Sequence, residues 1–158
     1  MGKEIEHKFL VRMELLPRPF KAGQRMVQGY LSLDPTVRVR LVSETQRGVK
    51  REKAYLTIKG KGLRIRAEFE YPLPVPDARK LLKLCGNRII EKTRRRYGPV
   101  ELDEFGGKLR GLWLAEIELP SARAKLPKLP GWIGKEVTDD PRYTNVKLAL
   151  EMKAPFRR

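Results

Sequence analysis

Hydrophobic and charged positions alternate along much of this chain. Over residues 4–11, Glu4, Glu6 and Lys8 fall on one face and Ile5 and Phe9 on the other. Side chains of an extended strand alternate sides with a period of two, so this spacing predicts a strand. Residues 25–33 and 36–42 predict two more, the latter alternating Val37, Val39 and Leu41 with Arg38 and Arg40. Residues 52–59 set Lys53, Tyr55, Thr57 and Lys59 against Ala54, Leu56 and Ile58. Residues 63–71 set Arg64, Arg66, Glu68 and Glu70 against Ile65, Ala67, Phe69 and Tyr71. Residues 88–97, 100–105 and 109–119 complete the set, the last placing Glu116 and Glu118 opposite Ala115, Ile117 and Leu119.

The intervening stretches carry stop signals. Residues 13–16 form a short helical turn ended by Pro17 and Pro19. Residues 43–51 are a polar loop, Lys59-Gly-Lys-Gly62 suits a tight hairpin, and Pro72 ends the strand before it. Residues 77–85 predict a helix, with Leu81, Leu82 and Leu84 apolar and Asp77 at its start. Residues 122–130 are ambiguous, 132–137 read as turns, and 140–150 read as a terminal helix opening at Asp140-Pro141. Eight strands in hairpin order favour an antiparallel sheet that can close on itself.

Composition narrows the picture. The chain has 158 residues, 41% of them hydrophobic, which suits one domain over residues 1–158 with a sizeable core. No apolar run reaches membrane-spanning length, so no membrane partner is expected. The single cysteine, Cys85, excludes an internal disulfide and fits a reducing cytoplasm. The single histidine, His7, excludes a multi-histidine metal site. A metal here would be held by carboxylates, which selects a hard ion such as Mg²⁺ or Mn²⁺. The 35 lysines and arginines against 19 acids give a net charge of +16, which attracts polyanions such as polyphosphate, nucleic acid or phosphate esters.

The charges on the alternating faces carry the chemistry. Taken one strand at a time, they are the wet side of an open sheet. Such a face usually mixes Ser, Thr, Gln and Lys, whereas here it reads Glu-x-Glu, Arg-x-Arg and Arg-x-Glu-x-Glu. A divalent cation relieves the repulsion within Glu4/Glu6 and Glu116/Glu118, and a phosphate chain relieves Arg38/Arg40. The pattern therefore predicts a barrel with an inverted interior, charges inward and apolar faces outward under helices. Other chemistry is dismissed. Lys59-Gly-Lys-Gly62 precedes a strand and not a helix, so it is no phosphate-binding loop. Cys85, His7, Trp113 and Trp132 read as packing or structural residues, and Tyr30 and Tyr97 stay open.

Glu4-Ile-Glu-His-Lys8 resembles the Glu-x-Glu-x-Lys signature of the CYTH superfamily, the triphosphate tunnel metalloenzymes. Gln28-Gly-Tyr-Leu31, Arg38-Val-Arg40, Leu56-Thr-Ile-Lys-Gly60, Arg66-Ala-Glu-Phe-Glu70, Glu91-Lys-Thr-Arg94, Glu101-Leu-Asp103, Leu114-Ala-Glu-Ile-Glu-Leu119, and Gly134-Lys-Glu-Val-Thr138 with Pro141-Arg-Tyr-Thr-Asn145 follow in family order. The overall look is of the short, stand-alone prokaryotic members, with His7 departing from their frequent arginine.

The resemblance implies an α+β fold: an eight-stranded antiparallel tunnel with a charged interior and helices packed outside. It implies Glu4, Glu6, Glu116 and Glu118 as metal ligands for Mg²⁺ or Mn²⁺. Glu68, Glu70 and Asp103 are implied as further metal or water-orienting carboxylates. Lys8, Arg38, Arg40, Lys59, Arg66, Lys92 and Arg94 are implied as phosphate clamps, with Lys135 and Tyr143 near the tunnel mouth. The implied reaction is hydrolysis of inorganic triphosphate or a related small-molecule triphosphate, with metal-activated water attacking and orthophosphate leaving. Two rival enzyme readings are a class IV adenylate cyclase-like activity and a thiamine or nucleoside triphosphatase. A rival of another class is a non-catalytic module binding polyphosphate or nucleic acid, which rests on net charge alone. A homodimer is compatible with the sequence.

Overall fold

The computed structural model describes residues 2–62 and 65–151, with residues 2–4 described by their backbone alone. Nine strands form one antiparallel sheet: β1 (Gly2–Val11), β2 (Gln24–Leu33), β3 (Thr36–Gln46), β4 (Val49–Lys59), β5 (Ile65–Leu73), β6 (Ile89–Tyr97), β7 (Val100–Phe105), β8 (Trp113–Glu118) and β9 (Ile133–Glu136). Helix α1 (Val75–Leu84) follows β5, and α2 (Asn145–Leu150) follows β9. The spatial order is β5-β4-β3-β2-β6-β7-β8-β1-β9, and a further pairing of β1 with β5 closes β1–β8 into an eight-stranded barrel. β5 is the hinge of this closure. Its Glu68–Leu73 half pairs with β4, and its Ile65–Glu68 half reaches β1, setting Arg66 against Glu4 and Ile65 against Ile5. One edge of β1 carries β8; the other holds β5 at residues 2–5 and β9 at residues 9–11.

Register turns the alternating faces into walls. Glu6 pairs with Glu118, Lys8 with Glu116, Glu116 with Glu101, and Asp103 with Arg94. Gln28 pairs with Arg40, Arg38 with Thr57, and Thr57 with Glu70. Paired residues share a face, so these charges all line the interior, as the sequence predicts. The opposite faces form the core outside the barrel. Ile5, Phe9, Val100, Leu102, Ala115 and Ile117 pack beneath Leu16 and Trp132 from irregular segments. Val39, Leu41 and Ala54 pack beneath Ala78 of α1.

The interior is not charged throughout. At one end Tyr30, Ile90, Phe105 and Leu114 join Val137, Tyr143, Leu148 and Ala149 in an apolar cluster. By register these strand positions share the face of Arg38, Gln28, Lys92, Asp103 and Glu116. The segment after β9 thus stoppers part of that end with apolar side chains, where the sequence pattern predicts only apolar-out packing.

Four local expectations change. The predicted loop over 43–51 is a continuation of β3 and β4, which pair as far as Gln46 and Val49 and reverse at Arg47-Gly48, both with positive φ. Residues 132–137, read as turns, contain β9. The predicted helix over 140–150 is split: Asp140 caps a 3-10 turn over Pro141–Tyr143, and the Thr144 hydroxyl starts α2 by accepting from the Lys147 N–H. Pro72 continues β5 opposite Tyr55. The strand predicted over 63–71 begins in residues outside those described. Among the described residues no helix is long and apolar enough to cross a membrane.

Candidate active site

The barrel encloses a cavity of about 360 Å³ lined by Glu6, Arg38, Arg40, Lys59, Glu68, Glu70, Arg94, Arg96, Glu101, Glu116, Glu118 and Asn145. That volume falls within the range of small-molecule sites, about 300–1,000 Å³. Every lining residue is polar or charged. Of the fourteen residues to which the resemblance gives a role in metal binding, catalysis or phosphate clamping, nine lie on this surface.

The wall formed by β6, β7 and β8 is an ion-pair lattice. Asp103 is fully buried and accepts from Lys92 Nζ at 2.7 Å and from Arg94 Nε and Nη2 at 2.7 and 2.8 Å. Arg94 also donates to Glu116 at 3.0 Å and to Glu101 at 3.1 Å. Lys8 Nζ stands 3.5 Å from Glu116 and donates to the Tyr143 carbonyl at 2.8 Å. Burial works to raise the Glu116 carboxyl, but Lys8, Arg94, Lys92 and Lys59 hold it well below the usual carboxylate range. Burial works the same way on Asp103, and Lys92 and Arg94 bring it down. Burial lowers Lys92 to about 8 despite the pull of Asp103.

The opposite wall, on β2–β5, is less neutralised. Arg38 Nη2 donates to Thr57 Oγ1 at 3.3 Å, and Thr57 donates to Glu70 at 3.1 Å. Arg40 Nε donates to Gln28 Oε1 at 2.9 Å. Burial, then the charges of Arg38 and Arg94, lower Arg40 to about 10. Buried cations that repel one another are stabilised by an anion placed among them. Arg66 of β5 reaches across to Glu6 at 3.2 Å, tying this wall to β1.

The remaining expected residues take other places. The Glu4 side chain lies outside the described residues. Lys8 and Lys92 are buried behind the cavity surface in the lattice, with Asp103 between Lys92 and Arg94. Tyr143 is buried and contributes its carbonyl to Lys8. Lys135 is exposed on β9, outside the barrel, and does not border the cavity. Gln28, Thr57, Arg96, Glu101 and Asn145 join the site without having been assigned to it. Thr57 and Glu101 had a signal, since each lies two residues from a charged position on the same face. Asn145 had none, because it arrives from α2.

The carboxylates suit a hard divalent ion. Glu6, Glu116 and Glu118 offer only oxygen, line one cavity, and Glu6 sits beside Glu118 in register. Among the described residues no three acidic, histidine or cysteine side chains converge on a single point. Glu6 and Glu116 instead turn toward Arg66, Lys8 and Arg94.

No family model matches the chain. Two curated proteins do, over nearly their whole length. An inorganic triphosphatase of Acetivibrio thermocellus is 42% identical over 99% of this chain and 97% of its own. An inorganic triphosphatase of Nitrosomonas europaea is 37% identical over 94% of this chain and 98% of its own. A crystal structure of an inorganic triphosphatase superposes with a TM-score of 0.60 at 31% identity, covering 98% of this chain and 99% of that one. With these relatives and the charged lumen just described, the chain belongs to the inorganic triphosphatase family, a triphosphate tunnel type of enzyme.

Proposed function

We propose that this chain hydrolyses inorganic triphosphate to orthophosphate and diphosphate with Mg²⁺ or Mn²⁺ as its cofactor. The observation that carries this reading is the lining of the 360 Å³ cavity, which consists of acids, bases and the amide of Asn145. Such a cavity suits a chain of phosphates and itself carries no surface on which a nucleobase or a thiamine ring could stack. This favours inorganic triphosphate over nucleoside or thiamine triphosphate as the substrate.

Glu6, Glu116 and Glu118 are the residues that would hold the ion, together with Glu4 from the sequence reading. When bound, it neutralises phosphate charge and makes a water molecule more acidic. The chain's own cations supply the rest. Arg38 and Arg40 present planar forks to phosphate oxygens, and Lys59 at the cavity surface and Lys8 behind it act as point charges. Arg94 and Lys92, clamped on Asp103, belong to a neutralised ion-pair lattice whose geometry is set before substrate arrives. Phosphoryl transfer depends mainly on such positioning and charge stabilisation. Asp103 then acts chiefly by positioning these two cations.

Phosphate release from inorganic triphosphate, ATP and thiamine triphosphate, each with Mg²⁺, Mn²⁺ or excess chelator, tests the proposal. Inorganic triphosphate should be hydrolysed fastest, chelator should stop the reaction, and Glu118→Ala should abolish turnover in a protein that melts cooperatively. Cyclic AMP formed from ATP in place of phosphate overturns it, as does undiminished turnover in Glu118→Ala.

A further inference from the structure

The buried cations of the two lumen walls are held in different ways. Lys92 and Arg94 close on the carboxylate of Asp103, and Arg94 reaches Glu101 and Glu116 as well. Arg38 and Arg40 are held by neutral groups. Thr57 Oγ1 accepts from Arg38 and donates to Glu70, so a hydroxyl and not the acid is the partner of Arg38. Gln28 Oε1 accepts from Arg40 Nε at 2.9 Å.

An amide is a poor choice at position 28 if its task is only to hold an arginine. Gln28 is fully buried, and with Oε1 engaged its Nε2 group has no hydrogen-bond partner. Its cross-strand neighbours are Arg40 on β3 and Ile90 on β6, whose side chains offer no acceptor. A buried donor left unpaired is destabilising. A glutamate of the same length would leave no donor unpaired and would pair its charge with the guanidinium. It would also offset the repulsion from Arg38 and Arg94, which, after burial, brings Arg40 down to about 10. Stability of the empty barrel therefore favours an acid here, and the chain carries an amide.

We propose that Gln28 is a positioning residue for the triphosphate, one that orients Arg40 without neutralising it. This rests on the triphosphatase reading. An arginine already paired with carboxylates, as Arg94 is, has little charge left for a ligand. An arginine held at Nε by an amide keeps its charge, and its two Nη groups stay available for a pair of phosphate oxygens. Arg40 borders the cavity, so that charge faces the substrate chamber. Thr57 treats Arg38 in the same way. The two walls thus do separate work: the neutralised one sets the shape of the lumen, and the uncompensated one binds the anion.

Two substitutions separate holding from charge. Gln28→Glu keeps the acceptor and adds a negative charge, whereas Gln28→Met keeps the length, removes the acceptor and leaves Arg40 uncompensated. Without metal or ligand, Gln28→Glu should melt at or above the wild-type temperature and Gln28→Met below it. In calorimetry without metal, Gln28→Glu should bind inorganic triphosphate at least about tenfold more weakly than wild type, because a like charge near the phosphates acts outside bulk water. Gln28→Met should bind it more tightly than Gln28→Glu does. A glutamine that only supports the structure predicts the reverse order, with the isosteric glutamate the milder change, and that order overturns the inference. A Gln28→Glu protein that melts below wild type overturns it too. A wild type that binds no triphosphate refutes the substrate reading and the positioning role with it, while a higher melting temperature in Gln28→Glu would still mark Arg40 as uncompensated.

Discussion

Lys92 shows how a single residue can report on the whole lumen. Its ammonium is fully desolvated and bonded to Asp103 at 2.7 Å, yet burial brings it down to about 8. An amine is charged below its pKa and neutral above it, and an anionic ligand binds the charged form. Metal-free wild-type protein should therefore lose affinity for triphosphate as pH rises from 7 to 9. A Lys92→Arg variant, whose guanidinium stays charged, should lose less. Titration calorimetry of both proteins across that interval cancels the ionisation of the ligand itself. Parallel curves would mean that Lys92 does not titrate against substrate. The sequence could suggest that Lys92 and Arg94 bind phosphate. It could not show that both close on one buried aspartate, because that needs the register of β6 on β7.

At the scale of elements, what was legible depended on whether one strand face met a single environment. The alternation in β1, β3 and β8 is clean because one face meets the lumen and the other an apolar cover. Residues 43–51 hid their strands because the ribbon beyond Ser43 has polar residues on both faces. The helix predicted from Asp140 failed for another reason. Asp140 and Thr144 are both N-caps, so the chain starts twice within five residues. Gly29 of β2 marks the closest approach of two elements. A Cβ there would meet Ile89 Cδ1 at 2.6 Å and the Cys85 Sγ and Cβ at 2.7 and 2.8 Å. Ile89 can turn aside, but the Cys85 Cβ is fixed to the chain at the end of α1. Gly29→Ala should cost about 1–3 kcal/mol, the usual range for overpacking. Urea denaturation measures it, and an unchanged midpoint would mean that α1 can move off β2 freely.

At the scale of the whole molecule, the inverted barrel was readable from charge pattern and motif order, and the solved triphosphatase shares the fold over nearly its full length. The apolar stopper was not readable. Leu114 shares a face with Glu116, and Ile90 with Lys92, so the same wall changes character along its length. Only the fold-back of residues 137–149 explains why. A charged centre also means that apolar packing is divided into three separate patches joined by one sheet. Such a molecule resembles a hoop braced at three points, and each brace can loosen while the hoop holds. Amide exchange should then resolve distinct opening energies. Among the described residues the α1 brace rests on four buried ones and should open first. The β1–β7–β8 brace rests on eleven and should open last. One shared opening energy would indicate a single cooperative unit. With three braces, the ring of strands that carries the acids and bases can keep its shape while the segments around it vary.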